Sequence, residues 1–206
     1  MSIKVILSVC SGLVFILAFF PYIRAIVRRE TSPRKATWLV WAVGDIIILT
    51  GMIAKGTVSG LMIGAVLGAT STFLLSLKFG EPGWSARDKV CISLSGIAIV
   101  LWLYFGDSNF GISFSLLALT IAVWPTYVSA WRRPENEDKR GWILFNLANV
   151  FAVLAIPEWT FADVAPPFTF MAIDIPMLYL LFVRPLSQVV PVINLKTGKW
   201  GGKVQP

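Results

Sequence analysis

Three observations predict an all-α integral membrane protein with seven transmembrane helices, arranged as two parallel three-helix repeats around one linker helix. The 206 residues are 56% hydrophobic, with a mean hydropathy of +0.75. Only 14% of them are charged, whereas soluble domains carry about a quarter charged residues. Seven apolar segments without strict alternation follow one another, and a shift of 104 residues aligns features of the first three with features of the last three.

Each predicted span is about long enough to cross a hydrocarbon layer, and each is expected to be helical because lipid cannot satisfy unpaired backbone groups. In chain order the spans cover residues 5–26, 37–54, 59–77, 90–105, 111–131, 142–156 and 167–183. The first is expected to be a retained span, because it lacks a strongly basic start and a small-residue cleavage site. The predicted units are a first three-helix bundle (1–79), a linker helix (80–109), a second three-helix bundle (110–184) and a cytoplasmic tail (185–206).

The distribution of positive charge predicts the orientation. All but two of the 18 Lys and Arg residues lie in the connections after spans 1, 3 and 5, in the tail, or at the adjoining span ends. The two exceptions are Lys4 and Lys55. Because cytoplasmic segments carry such an excess, we expect an external N-terminus and a cytoplasmic C-terminus in the plasma membrane of a prokaryote. Topology thus accounts for most of the net charge of +7, and we expect no nucleic acid as a partner.

The internal repeat needs no gap, and it carries two basic pairs, at 28–29 and 132–133, in equivalent places. The other equivalent positions are Pro21 and Pro125, Trp38 and Trp142, Asp45 and Asn149, and Thr70 and Asp174. Since each repeat has three spans, the fourth span must return the chain across the membrane. The repeats are therefore predicted to be parallel, related by an axis along the membrane normal.

Seven spans in this orientation, with a proline near the cytoplasmic end of spans 1 and 5 and a basic loop after each, resemble the SWEET and PQ-loop transporters. The most similar stretch is WPTYVSAWRR at 124–133, because SWEETs often carry Pro-Thr-aromatic there, and the resemblance covers about residues 5–183. It implies a transporter with alternating access. In such a transporter Pro21 and Pro125 would be gating hinges, although both are equally compatible with simple kinks.

Aromatic and polar side chains form a stripe on spans 2 and 6. Positions i, i+3 and i+7 share one helix face, and Trp38, Trp41 and Asp45 have this spacing on span 2. Trp38 and its equivalent Trp142 lie near span ends, so they are either pocket residues or members of an interfacial belt. The predicted substrate-binding residues, which lie nearer the middle of their spans, are Trp41, Asp45, Thr70, Phe145, Asn146, Asn149 and Asp174.

The prediction of a substrate-binding site depends mainly on the two acidic residues, Asp45 and Asp174. An acidic side chain at the centre of a span costs about 2.5–3.5 kcal/mol on insertion scales, so Asp45 and Asp174 are expected to face each other, water or a ligand. Solute sites of this kind lie at the midplane between repeats. Aromatic rings suit the face of a sugar or another flat ligand, whose polar edge a few polar groups would fix. The alternative is a purely structural hydrogen bond between helices.

The predicted function is transport of a small polar solute, a sugar first, by alternating access between the two bundles. Because burial favours the neutral form of a carboxyl group, Asp45 and Asp174 could instead bind a proton or a cationic substrate. The protein would then be a proton-coupled amino-acid or vitamin transporter of the same fold. A receptor like the KDEL receptor and a structural membrane protein without a ligand are further alternatives.

Catalytic motifs are absent from the sequence: there is no Walker motif, no HExxH and no nucleophile elbow. We therefore expect no enzymatic activity, no cofactor and no metal. Histidine is also absent, and Cys10 and Cys91 both lie in apolar runs, where we expect no disulfide. The expected partners are a small polar solute, protons and the lipid bilayer, and a homo-oligomer is compatible with the sequence.

Overall fold

The computed structural model describes residues 2–30, 33, 35–80, 86–132, 134, 137–184, 191–193 and 200–202. These residues are mostly helical. Their α-helices are, in chain order, α1 (Ile3–Val27), α2 (Lys35–Ala54), α3 (Gly60–Phe79), α4 (Ala86–Phe105), α5 (Ser108–Ala122), α6 (Trp124–Arg132), α7 (Lys139–Ala155) and α8 (Phe161–Leu178). A π-helical turn (Tyr179–Val183) continues α8, and in the tail β1 (Pro191–Ile193) pairs antiparallel with β2 (Trp200–Gly202).

Short polar side chains start several of these helices. The Asp107 carboxylate accepts from the Asn109 N–H at 3.0 Å before α5, and the Asp138 carboxylate accepts from the Arg140 N–H at 3.0 Å before α7. Thr160 caps α8 in the same way. Each cap satisfies a backbone donor that the first helical turn leaves without a partner. The polar connections between the apolar runs thus fix where the helices begin.

Among the described residues, five helical stretches are long and apolar enough to cross a membrane: Ile3–Val27, Lys35–Ala54, Gly60–Phe79, Ser108–Arg132 and Phe161–Val183. The helical fold class is therefore confirmed, and these stretches are compatible with an integral membrane protein. Helices α4 and α7 cover the two remaining predicted spans, but they are not among the five. Seven membrane crossings in a 3+1+3 arrangement stay a prediction.

The fifth predicted span is not one continuous helix. The sequence predicts a single span over 111–131, whereas the structure divides it at Val123 into α5 and α6. Pro125 lies two residues after this break, and it has no N–H to donate back to Ile121. The Thr126 and Tyr127 N–H groups both donate to the Val123 carbonyl, at 2.9 and 3.2 Å, and so restart the helix.

The helices pack in a pattern that repeats within the chain. Helix α3 lies against both α1 and α2, and α8 lies against both α5 and α7. Across these two groups α1 packs on α7 and α2 packs on α5, while α4 lies beside α5 and α2. The shift of 104 residues takes α1 to the α5–α6 pair, α2 to α7 and α3 to α8. The same shift maps the α1–α7 contact onto the α2–α5 contact and the reverse, which is the pattern expected for two bundles related by a two-fold axis.

Candidate functional site

A cavity of about 770 Å³ lies between the two groups of helices. Its walls come from α1, α2, α7, α8 and the junction of α5 with α6. Its mouth lies where α1 ends and where α2 and α7 begin. The described residues that line it are Phe15, Ala18, Phe19, Pro21, Tyr22, Ala25, Glu30, Pro33, Thr37, Trp38, Trp41, Val123, Thr126, Glu137, Asp138, Gly141, Trp142, Phe145, Phe170, Ile173 and Asp174.

Most of the wall is aromatic. The rings of Phe15 and Phe145 have centroids 4.8 Å apart, and Phe19 packs edge-on to Phe145 at 5.1 Å. Trp41 lies 6.5 Å from Phe170, so aromatic contacts join α1, α2, α7 and α8. Tilted and edge-on contacts of this kind are the favoured geometries for aromatic pairs. The full set of rings in the lining is Phe15, Phe19, Tyr22, Trp38, Trp41, Trp142, Phe145 and Phe170.

Trp41 and Phe145, both predicted to line a pocket, are in this wall. Trp38 and Trp142, for which the sequence left a belt role open, are in it as well, and each is only partly buried. Phe15, Phe19 and Phe170 were not predicted. A signal for the first two is present in the sequence, since Phe15, Phe19 and Tyr22 have the i, i+4, i+7 spacing of one helix face.

Asp174 supplies the carboxylate inside the cavity. It lies on α8 with only 5% of its surface exposed, one turn from Phe170. One of its oxygens, Oδ2, accepts a hydrogen bond of 2.7 Å from Asn149 Nδ2. Asn149 is fully buried on α7, behind the lining, and its own Oδ1 has no hydrogen-bond partner. The amide therefore positions the carboxylate while leaving it without a cationic partner among the described residues.

The other predicted polar residues lie outside the described cavity lining. Asp45 is 1% exposed on α2, and its Oδ1 has no hydrogen-bond partner within the described part of the chain. The same holds for Thr70 Oγ1 on α3 and for Asn146 Nδ2 on α7. The repeat equivalents of the Asn149–Asp174 pair are Asp45 and Thr70. The four repeat-related polar residues therefore do not form one cluster. In the second repeat, Asn149 and Asp174 form a hydrogen bond beside the cavity. In the first repeat, Asp45 Oδ1 and Thr70 Oγ1 have no hydrogen-bond partner among the described residues.

The two candidate hinges differ in their surroundings. Pro21 lines the cavity within α1, which remains helical through Val27. Pro125 is the second residue of α6, next to the break at Val123. A proline lacks one backbone hydrogen bond in each case, yet of these two spans only the second is interrupted, at Val123. A gating role for either residue stays a prediction.

Acidic side chains surround the mouth of the cavity. Glu30, Glu137 and Asp138 all line it. Glu137 accepts a hydrogen bond of 3.2 Å from the indole N–H of Trp142. Burial raises the pKa of Glu137 above its usual value, and the hydrogen bond from Trp142 offsets only part of this effect. The charge of Glu137 at the mouth therefore depends on pH.

Glu137 should make the stability of the protein depend on pH. The pKa of Glu137 is higher in the folded protein than in the unfolded chain, where it is about 4.3. Below that unfolded pKa, the folded protein therefore has its full stability with respect to this group. That part of the stability is lost as the pH rises from the unfolded pKa through the folded pKa. We expect the melting temperature in detergent to fall over that interval, and we expect Glu137→Gln to remove this part of the fall. The glutamine keeps an acceptor for Trp142 but cannot ionise. This expectation would be contradicted if the melting temperatures of the wild type and the variant fell equally between acidic and neutral pH.

The end of the molecule opposite the mouth is closed by polar contacts between the two groups of helices. Thr57, after α2, donates its hydroxyl to the Asp163 carboxylate at the start of α8. Ser11 Oγ on α1 donates to the Ala148 carbonyl on α7 at 2.7 Å. The cavity thus communicates with one end of the helices, and hydrogen-bonded packing separates it from the other.

The part of the chain that the structure describes contains no group of three or more His, Cys, Asp or Glu residues that could hold a metal. The chain matches no protein-family model, no curated protein and no solved structure. The resemblance to SWEET and PQ-loop transporters therefore stays a prediction. The described part of the chain is helical, and five of its helices are long and apolar enough to cross a membrane.

Proposed function

We propose that the protein is a membrane transporter of a small polar solute, which it moves by alternating access between two three-helix bundles. The observation that carries the proposal is the cavity between the two groups of helices. It is large enough for a small solute, at about 770 Å³, and it is open at one end. The other end is closed by contacts such as Thr57 with Asp163, which rocking of one group against the other would break.

The repeated packing supports the full arrangement of seven spans in a 3+1+3 plan. In each group the third helix contacts the first two, and the contacts across the groups exchange under the repeat. Parallel repeats related by an axis along the membrane normal would produce this pattern and would place a solute site at their interface. Helix α4, which lies beside α5 and α2, would be the linker.

The charge distribution supports an orientation in which the cavity mouth faces the cytoplasm. The connections after α1 and α6 border the mouth, and they carry the basic pairs of the two repeats. Under the positive-inside rule these connections lie in the cytoplasm. The described conformation would then be inward-open, and the Thr57–Asp163 contact would belong to the closed outer gate.

The SWEET resemblance implies a sugar as the substrate, and aromatic rings can stack on a sugar face. An amino acid or a vitamin carried with a proton is the alternative within the same fold, because Asp174 lies in the wall. A receptor or a structural membrane protein is distinguished from all of these by the absence of solute flux.

A cross-link across the closed end tests alternating access. The variant carries Thr57→Cys and Asp163→Cys in a background with Cys10→Ser and Cys91→Ser. Proteoliposomes are screened for uptake of sugars, amino acids, vitamins and organic cations, before and after treatment with a short bifunctional thiol reagent. We expect uptake of at least one solute before treatment and its loss afterwards, because the outer gate can no longer open.

The matched control carries Thr57→Cys alone in the same background, and the reagent should leave its uptake unchanged. Two results would overturn the proposal. One is that no solute enters faster than into protein-free liposomes. The other is that the cross-linked protein transports as fast as the untreated one, which would mean that this end does not open.

A further inference from the structure

We propose that the solute bound in the cavity is a small organic cation that carries one positive charge and no carboxylate, such as a quaternary or protonated amine. This inference rests on the proposed function, and it goes beyond it by naming the substrate class. The inference combines the charge of the cavity lining, the aromatic character of its wall and the pairing of its inner carboxylate.

The charge of the described lining is one-sided. The acidic residues of this lining are Glu30, Glu137, Asp138 and Asp174, and it includes no Lys or Arg. The acids at the mouth have partners: Glu30 lies 3.9 Å from Arg28, and Asp138 caps α7. Among the described residues, the hydrogen-bond partner of Asp174 is the neutral amide of Asn149. A cation is the ligand that would neutralise this inner carboxylate.

The aromatic wall suits an organic cation better than a bare metal ion. A cation near the face of Trp, Tyr or Phe is attracted by the quadrupole of the ring, and three indoles, Trp38, Trp41 and Trp142, line the cavity. Metal cations such as Mg²⁺ and Ca²⁺ need several oxygen ligands, which this wall does not offer among its described residues. The volume of about 770 Å³ also exceeds what one ion would occupy.

The same lining disfavours two other solute classes. An amino acid brings a carboxylate, and no Lys or Arg in the described lining would pair with it. A sugar brings several hydroxyl groups that need hydrogen-bond partners when they leave water. The uncharged polar side chains of the described lining that could meet them, apart from the indole N–H groups, are only Tyr22, Thr37 and Thr126. Methyl groups around a nitrogen need no such partners.

A set of matched probes tests the charge requirement on the wild-type protein. Choline is compared with its uncharged carbon isostere 3,3-dimethyl-1-butanol, with glycine betaine, which adds a carboxylate, and with glucose. Affinities are measured by isothermal titration calorimetry in detergent. We expect choline to bind about tenfold or more tightly than each of the other three. Equal affinity for the uncharged isostere, tighter binding of glucose, or no binding of choline would overturn the inference.

Two isosteric variants test the position of the charge. Asp174→Asn should weaken choline binding about tenfold, because the amide offers no negative charge to the cation. Asp45→Asn is the control, since Asp45 is equally buried but lies outside the described lining. Size-exclusion profiles and melting temperatures establish that both variants fold. Equal effects of the two substitutions on affinity would overturn the assignment of Asp174.

Failure of this inference and failure of the proposed function give different results. If choline does not bind, yet the cross-link at Thr57 and Asp163 stops the flux of another solute, the proposed transport function is supported and the proposed cationic substrate is wrong. If choline binds through Asp174, yet no solute crosses the membrane, the binding site stands and the transport function is wrong.

Discussion

Asp174→Asn is expected to abolish uptake driven by a proton gradient while leaving the fold intact. The carboxyl group of Asp174 lies in the cavity wall, where, in the proposed transporter, it would hold either a proton or the cationic solute, so that the two exchange across the membrane. An amide has nearly the same shape, and its oxygen can still accept from Asn149 Nδ2, which now lies 2.7 Å from Asp174 Oδ2. The substitution thus removes the proton site and keeps the hydrogen bond.

The measurement is uptake into proteoliposomes with and without an imposed proton gradient. Coupling between two ligands typically amounts to about 1–3 kcal/mol, so accumulation in the variant should fall by about tenfold or more. Asp45→Asn should have a smaller effect, because Asp45 lies outside the described lining. If wild-type flux ignores the gradient and both variants transport normally, the acids are structural and the protein is an uncoupled facilitator.

Gly60→Ala is expected to cause the largest loss of stability. A β-carbon at Gly60 would lie 1.8 Å from the backbone oxygen of Ser8, which belongs to α1. The seam between α1 and α3 continues at Gly64, where a β-carbon would lie 2.8 Å from the Gly12 carbonyl oxygen. Small residues allow membrane helices to approach this closely. Because the obstacle is backbone, it can move aside only by separating the helices.

We expect this overpacking to cost about 3 kcal/mol, the upper part of the usual range. For a chain of this size the melting temperature in detergent should fall by roughly 6–12 °C. Gly96→Ala on α4 is the control, because no described atom beyond its chain neighbours and its own helix backbone lies within 4 Å of the added β-carbon, and alanine favours a helix by about 1 kcal/mol over glycine. If the two variants melt at the same temperature, α1 and α3 are not in close contact.

Membership in the aromatic wall was only partly predictable. The spacing of Trp38 and Trp41 on span 2 placed both on one face, and both line the cavity. The contribution of Phe170 on α8 could not be read in the same way, because its helix shows no comparable aromatic stripe. Its position follows from the packing of α8 beside α7, which brings its ring within 6.1 Å of Phe15.

Which polar residues face the cavity could not be predicted fully from the sequence. The sequence placed Asn149 and Asp174 at a similar depth on their spans, and in the structure the two side chains form a hydrogen bond. It also predicted that Asp45 and Thr70 would share the central cavity, but neither is in its described lining. Depth along a helix follows from residue count, whereas rotation about the helix axis depends on the neighbours, so matching depth does not guarantee a common cavity.

By itself the sequence determined the helical class, the positions of the apolar helices and the asymmetry of positive charge. These follow from composition and from the requirement that backbone groups in lipid pair within each helix, which are properties of local segments. Only the tertiary structure decided that the fifth segment is interrupted at Val123, that Asp174 rather than Asp45 is in the described lining of the cavity, and that the cavity opens at one end. The physical reason is that bends and cavity walls depend on which helices pack together, and close approach at residues such as Gly60 sets that packing.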